Sequence, residues 1–339
     1  TPSMLMTQPE IMNANQPLYA LLNSKEYYSV YPPLTQLIYY VSFLINHLNI
    51  GGHIIFFRIG NVLADCLIVF LLWSLLKRLN MDVKKILVYA LNPLIIIELT
   101  GNLHMEGMMI AAFLGGVLLT IRHRAIAGSF LISVSIALKM MTAIFIPFIW
   151  KEIEKRKRIT SIACCAIITT ALFYFFFSGR PGWLESISLW MQTFEFNASI
   201  YYIVREADAM FRGYPYIQLI GPVMTACALL SIFIVWIHYL KKQSFHWTSA
   251  MLIAMTAYFL FSTTIHPWYL STLIALSVLS RHTWPLIWSY LIFLSYSHYQ
   301  DGGFSEKYLF ITIEYVFLFI WICIELRFNC CREFSLAAK

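Results

Sequence analysis

Four side chains able to bind a polar ligand fall within nine residues of one another. They lie in the stretch Glu98-Leu-Thr-Gly-Asn102-Leu-His104-Met-Glu106-Gly107, between two apolar runs. Carboxylate, amide and imidazole groups at this spacing suit the hydroxyls of a sugar or the oxygens of a phosphate, although ordinary helix capping explains the same composition. His104 and Glu106 alone do not make a metal site, because two ligands do not form a cage. Farther along, Lys139 interrupts an apolar stretch, and His266-Pro267-Trp268-Tyr269 forms a tight reversal between two others. A cation and an imidazole at such places are candidates to contact a phosphate. The interval from 178 to 216 interleaves aromatics with charges: Trp183, Trp190, Phe194, Glu195, Phe196, Asn197, Tyr201, Tyr202, Arg205, Glu206, Asp208 and Arg212. Aromatic faces stack on sugar rings and Arg grips phosphate, while anchoring at a membrane interface accounts for the same aromatics. The in-chain carboxylates placed to accept a proton are Glu98, Glu106 and Glu195.

Three other ionisable groups sit inside apolar runs, where a charge is costly unless it is paired or functional. Arg58 and Asp65 are seven residues apart and share a helix face, and a structural pairing within the bundle is the favoured reading for Asp65. Glu314 reads either as a hydrogen-bonding partner in helix packing or as part of a site.

These groups must be held by elements suited to a nonpolar solvent. Of 339 residues, 60% are hydrophobic and only 12% charged, and the mean hydropathy is +0.69. Soluble domains carry about 25% charged residues. The net charge of +7 comes from short clusters between apolar runs, not from a basic stripe with interleaved aromatics, so no nucleic-acid partner is implied. The seven Cys show no C-x-x-C spacing and lie mostly within apolar segments, where they act as small apolar side chains. Cys330 and Cys331, just past the last apolar run, are weak candidates for acylation.

Spanning the hydrocarbon takes about 20 apolar residues in a helix, since only a helix satisfies its own backbone there. Apolar runs predict spans at 53–76, 86–101, 107–121, 159–177, 217–240, 248–265, 267–280, 283–297 and 308–328, roughly ten crossings in all once the interval 125–150 is included. Most of the Lys and Arg fall in clusters that can share one side: Lys77, Arg78, Lys84 and Lys85; Arg122 and Arg124; Lys151 through Arg158; Lys241 and Lys242; Arg281; and the tail. That side is the cytoplasm. Parity then requires 125–150 to hold two short half-helices, 125–138 and 140–150, with Lys139 at the turn below the outer surface. The domain plan that follows is an extracytoplasmic first loop at 1–52 containing an interfacial helix at 33–49, transmembrane helices at 53–177, an extracytoplasmic loop at 178–216, transmembrane helices at 217–328, and a cytoplasmic tail at 329–339. Thr1 falls outside the cytoplasm by this count, so an upstream transmembrane helix or a cleaved signal is expected before it.

Taken in order, Tyr31-Pro32-Pro33-Leu34, Asp65, Asn92-Pro93, Gly101-Asn102-x-His104-x-Glu106, Lys139 and His266-Pro267-Trp268-Tyr269 form a pattern along almost the whole chain. It resembles the polyprenyl-phosphate-mannose-dependent mannosyltransferases of the glycosyltransferase C superfamily. The nearer likeness is to bacterial membrane mannosyltransferases, and a more distant one is to the first mannosyltransferase of GPI-anchor synthesis. The resemblance implies an all-α polytopic membrane protein with a glycosyltransferase C-type helical bundle, residing in the bacterial inner membrane with its site on the periplasmic side. It also implies an inverting displacement at the anomeric carbon, with a lipid phosphate leaving and an acceptor hydroxyl attacking. In that family the catalytic acidic residue lies in a first outer loop that ends before the Tyr-x-Pro-Leu motif, so the catalytic base is expected upstream of this sequence.

On this reading the binding residues are Asn102, His104, Glu106, Lys139, Arg205, Arg212, His266 and Tyr269. The partners are the bilayer, a polyprenyl-phosphate sugar and a glycan or glycolipid acceptor. The chemistry requires no cofactor or divalent metal, because a lipid phosphate leaves without a nucleotide. Two other readings fit a chain of many spans: a lipid or sugar transporter, which predicts charges along a path through both leaflets, and a non-catalytic subunit of an envelope-glycan assembly complex.

Overall fold

In the computed structural model the protein is described over residues 25, 28–178, 182–242, 246–300 and 303–337. Half of the first loop, the side chains of Trp183 and Trp190, and those of Cys330 and Cys331 lie outside the described residues.

Helices account for nearly all the regular structure, as the all-α reading requires. Four of them are long and apolar enough to cross a membrane: α2 (Ile50–Arg78), the segment Lys155–Phe177 that contains α7 (Arg158–Phe177), α10 (Ile217–Lys241), and the first part of α14 (Tyr308–Ala337), over Tyr308–Arg327. Each turns large apolar side chains outward, among them Leu63, Phe70, Ile167, Phe175, Leu229, Phe233, Leu309 and Phe317. A water-soluble protein rarely exposes apolar surface so continuously, whereas a lipid-facing helix does so by default. The chain is thus a polytopic membrane protein. Between the long helices lie α1 (Pro33–Asn46), α3 (Ile86–Ala90), α4 (Glu106–Ile121), α5 (Ala125–Leu138), α6 (Ile146–Glu152), α8 (Gly182–Thr193), α9 (Ile200–Arg212), α11 (Trp247–Phe261), α12 (Leu270–Val278) and α13 (Trp284–Leu291). The only paired strands among the described residues, β1 (Tyr299–Gln300) and β2 (Gly303–Phe304), form a small antiparallel hairpin.

Several segments that read as uninterrupted spans are broken. The run 86–101 divides into α3, a turn at Leu91–Asn92, and a wide π-helical segment, Ile95–Gly101. Pro93 has no N–H to continue the ladder. Asn92 meanwhile uses its side chain locally, accepting from Leu94 N at 2.9 Å and donating to Ser289 Oγ at 3.0 Å. The π segment then meets α4 at a bend of 108°. The expected half-helix at 140–150 begins as a 3-10 turn, Met140–Phe145, and becomes α6 only where Pro147 occupies the first turn. The run 283–297 likewise passes from α13 into a 3-10 turn, Ile292–His298. By length and composition four helices among the described residues can cross a membrane, or five if the bent pair is one span, and shorter apolar helices lie between them.

The most extensive helix contact joins α4 and α5. It is built on small residues, as close helix packing in a membrane requires. A Cβ placed on Gly128 would come within 2.7 Å of Gly116 O and would also collide with Thr120 Oγ1. Ser129 and Ser133 return their hydroxyls to their own helix, donating to Ala125 O and Ser129 O at 2.9 Å, and Ser135 donates across to Met109 O at 2.9 Å. Replacing Gly128 by Val should force the helices apart and cost about 1–3 kcal/mol, as overpacking does. An unchanged thermal midpoint for that variant in detergent would show that the contact tolerates separation.

The basic clusters also meet one another's elements. Arg78 donates to Ile121 O at 3.0 Å, Lys157 to His123 O at 3.3 Å, and Lys151 to Tyr239 O at 2.9 Å. These cations cap the carbonyl ends of neighbouring helices, where the macrodipole favours positive charge.

Candidate functional site

The irregular segment Ile95–Gly101 leaves carbonyls that no regular helix follows to satisfy. One face of α2 supplies the missing donors. Arg58, Asn61 and Asp65 recur at three- and four-residue spacing, so all three point the same way. Arg58 donates to Thr100 O and Gly101 O at 3.4 Å, and Asn61 to Leu99 O at 2.7 Å. Asp65 accepts from Thr100 Oγ1 and from Tyr89 OH, each at 3.0 Å. Arg58 and Asp65 therefore do not pair with each other. Both brace the segment that carries Glu98 and leads to Asn102, His104 and Glu106.

Glu98 is fully buried in this segment. One of its oxygens accepts from the Tyr296 hydroxyl, and the other accepts from Asn102 Nδ2 at 3.2 Å, with His104 Nε2 at 3.7 Å. Tyr296 also lies 3.3 Å from Asn102 Nδ2, which ties the 3-10 turn Ile292–His298 to the site. A turn over residues 102–105, with Leu103 at a φ of 65°, then brings the chain to Glu106 at the start of α4.

Lys139 arrives from the break between α5 and the following 3-10 turn, with an extended backbone. Thr35 of α1 donates to the adjacent Leu138 O at 2.6 Å and so fixes the break. The Lys139 ammonium pairs with Glu106 Oε1 and lies 3.9 Å from the centre of the Tyr269 ring. A cation held between a carboxylate and an aromatic face, mostly out of solvent, is a strong local charge.

The reversal at 266–269 completes the site. Trp268 is stacked between two imidazoles, His104 at 3.6 Å and 16° and His266 at 4.3 Å and 9°. Burial, reinforced by the neighbouring Lys139 and by His104, pushes His266 down to about 3. That shift favours the uncharged imidazole, which can still hydrogen-bond a phosphate. Its Nδ1 is buried with no partner among the described residues. Phe196 packs on His266 at 4.6 Å, and its backbone is laced to the same loop, accepting from Ile265 N at 2.8 Å and donating to Thr263 O at 3.1 Å.

Asn102, His104, Glu106, Lys139, His266 and Tyr269 therefore come together, along with Glu98. Arg205 and Arg212 do not join them. The Arg205 guanidinium pairs with Glu195 and with Glu206 at 2.6 Å, donates to Tyr308 OH, and lies 4.7 Å from the centre of the Tyr202 ring. Glu195 is occupied at both oxygens, by Arg205 and by Tyr201 OH. Arg212 is half exposed at the end of α9, paired with Asp208 at 2.8 Å. Among the described residues neither Arg pairs with Glu106, Lys139 or His266; Arg205 is held by Glu195, Glu206 and Tyr308, and Arg212 by Asp208. Sequence reasoning did not single out Tyr296, which lay in an apparent span. The polar run Ser295-Tyr-Ser-His-Tyr299 was the available signal. Trp268 was visible only as part of its motif.

Among the described residues no three His, Cys, Asp or Glu side chains gather closely enough to hold a metal ion.

Comparison with known proteins adds an independent observation. Residues 25–153 match a family described as alpha-(1->6)-mannopyranosyltransferase, N-terminal domain, a stretch that contains Arg58, Asp65, the 98–106 turn and Lys139. Over 60 residues, 18% of this chain, the sequence is 42% identical to Alpha-(1->6)-mannopyranosyltransferase A of Mycobacterium tuberculosis. Over 58 residues, 17% of this chain, it is 40% identical to the protein of the same name from Corynebacterium glutamicum. Each aligned stretch spans 12% of the relative's own length. Through residues 25–153 the chain thus matches the N-terminal domain of the alpha-(1->6)-mannopyranosyltransferase family, and its resemblance to the glycosyltransferase C-type mannosyltransferases is borne out.

Proposed function

We infer that the protein is a membrane glycosyltransferase that moves mannose from a polyprenyl-phosphate carrier to an acceptor hydroxyl, with inversion, on the extracytoplasmic face of a bacterial inner membrane. The observation that carries this reading is Lys139 paired with Glu106 against Tyr269, beside the His104–Trp268–His266 stack. Both the pair and His104 lie within the stretch that matches the mannosyltransferase family.

Leaving-group departure puts an additional negative charge on the lipid phosphate. A pre-positioned cation in a water-poor site stabilises that charge more than water would, and Lys139 is placed to do so. His266 adds a neutral hydrogen bond. Trp268 and Tyr269 offer aromatic faces for the sugar, and Asn102, His104 and Glu106 offer hydrogen bonds to its hydroxyls. The exposed apolar helix faces offer the prenyl chain the same lipid-like surface that meets the bilayer. No step of this scheme calls on a divalent cation, and the acceptor is a glycan or glycolipid.

The test is to incubate membranes containing the full chain with a panel of radiolabelled polyprenyl-phosphate sugars and to identify the product. Mannose label in a glycan or glycolipid product is the expected result. Label that crosses the membrane without bond exchange would replace the enzyme with a transporter, and no movement of any label would leave a non-catalytic subunit.

A further inference from the structure

One face of α9 is committed to the protein. Tyr201 and Tyr202 are buried there, and Tyr201 and Arg205 both hold Glu195. On the opposite face Ile203, Ala207, Met210 and Phe211 recur at three- and four-residue spacing and so share one stripe. Ile203 is 69% exposed, Met210 85% and Phe211 90%. Large apolar side chains grouped in this way, beside a face of charges, mark a surface that meets something other than water.

The end of the helix shows what that partner is. Gly213, at a φ of 82°, closes α9 by donating its N–H to Ala209 O at 2.8 Å, and Tyr216 N donates to Asp208 Oδ2 at 2.8 Å. The connection is therefore folded back on α9, and α10 starts at the next residue, Ile217. α10 is one of the helices long and apolar enough to cross a membrane, and Leu219, Val223 and Phe233 are among its outward side chains. This places α9 at the mouth of a crossing helix, level with the bilayer surface. Tyr214 and Tyr216, both exposed, stand at the junction of the two apolar surfaces, a position that suits an aromatic ring with a polar tip. The charges of α9 are paired: Arg205 with Glu195 and Glu206, and Arg212 with Asp208. Nothing in the helix thus selects an anionic headgroup.

We propose that α9 is an interfacial helix, laid on the bilayer with Ile203, Met210 and Phe211 in the boundary between headgroups and acyl chains. The inference goes beyond the functional reading above and does not depend on it. Helices of this kind sink an apolar face about 5–10 Å into that boundary. Docking of α9 reaches inward as well. Glu195 is held by α9, and the next residue, Phe196, packs on His266, so the anchored helix sets the height of one side of the ring stack in the membrane.

The experiment places the photoreactive residue p-benzoylphenylalanine at Phe211, and separately at Ile203, in the full chain reconstituted in liposomes of phosphatidylcholine alone. Both positions are exposed, so neither substitution disturbs packing. Phe233, exposed on α10, carries the same group as the lipid-facing reference. After irradiation the mass of the intact protein is read. A phosphatidylcholine adduct at Phe211 and at Ile203, comparable in yield to that at Phe233, is the expected result. Lipid capture at Phe233 without capture at Phe211 puts the stripe in water and overturns the proposal. Capture at Phe211 but not at Ile203 overturns it too, since only the tip of α9 would then touch the bilayer. An adduct that joins two copies of the chain through Phe211 assigns the stripe to a protein contact, and capture that requires added anionic lipid assigns it to a charged headgroup; either result overturns the proposal.

Discussion

In membranes carrying Lys139→Met, transfer from a polyprenyl-phosphate sugar is expected to fall about 10³-fold or more, while the protein still folds into the membrane. Met is close to Lys in length and apolar bulk, so the side chain continues to fill the space beside Tyr269, and only the charge is removed. Loss of a single pre-organised donor to a developing oxyanion costs about 2.7–4 kcal/mol of transition-state stabilisation, or 10²–10³ in rate. Lys139 carries a full charge, so the loss should reach or exceed the upper end. It should appear in both KM and kcat, because the ammonium would contact the phosphate before and during departure. A complication is that the substitution leaves Glu106 as an uncompensated, nearly buried carboxylate, and breaking such a pair from one side is itself destabilising. The double variant Lys139→Met, Glu106→Gln removes the stranded charge and should restore the thermal midpoint without restoring activity. Transfer by Lys139→Met at a rate near the parent's would take the cation out of the site.

What the sequence allowed to be read, and what it did not, divides along a physical line. Glu106, Lys139, His104 and the 266–269 turn were visible because each is a polar or Pro-marked break in an otherwise apolar chain, and in a membrane such breaks have to be justified locally. Their meeting in space follows from the same cause, since irregular backbone at the ends of short helices gathers where other irregular backbone can satisfy it. The turns that carry Glu98, Trp268 and Tyr296 pack against one another for this reason. Partners contributed by distant elements were not legible. The spacing of Arg58 and Asp65 correctly placed both on one face of α2, but spacing on one helix cannot reveal that Tyr89, Thr100 and Gly101 offer better partners across the gap. Arg205 and Arg212 show the converse: a cation in a loop-like polar stretch looks available, whereas Arg205 is held by Glu195, before α9, and by Glu206, and Arg212 by Asp208. Apolar runs do not by themselves show where a helix breaks and restarts inside them, as it does around Pro93 and Pro147.

Glu314→Ala is expected to destabilise the protein by about 2–5 kcal/mol, although Glu314 touches none of the groups proposed for chemistry. Its carboxyl group is fully buried in α14, where it accepts from Asn197 Nδ2 at 3.1 and 3.2 Å and from Trp288 Nε1 at 2.8 Å. Truncation strands two buried N–H donors, each costing about 1–3 kcal/mol when left unmade. It also opens a cavity beside Trp288, one of the largest fully buried side chains. The consequence should extend to the site through Asn197, which holds a φ of 49° and is further fixed by Tyr315 OH donating to its carbonyl at 2.7 Å. The preceding residue, Phe196, packs on His266, and His266 supports Trp268. Glu314→Gln keeps an acceptor at the Oε1 position, which serves both donors, but sets an amide NH2 against Asn197 Nδ2, and should recover roughly half of the lost stability. Denaturation in detergent followed by tryptophan fluorescence reads both variants, and equal midpoints for Ala and the parent would show that water replaces the carboxyl group at no cost. Because the strut acts on the ring stack and not on Lys139, the residual folded population of Glu314→Ala should show a raised KM with kcat largely kept. Loss of kcat at an unchanged KM would mean instead that Glu314 influences the reacting groups by a route other than Asn197 and Phe196.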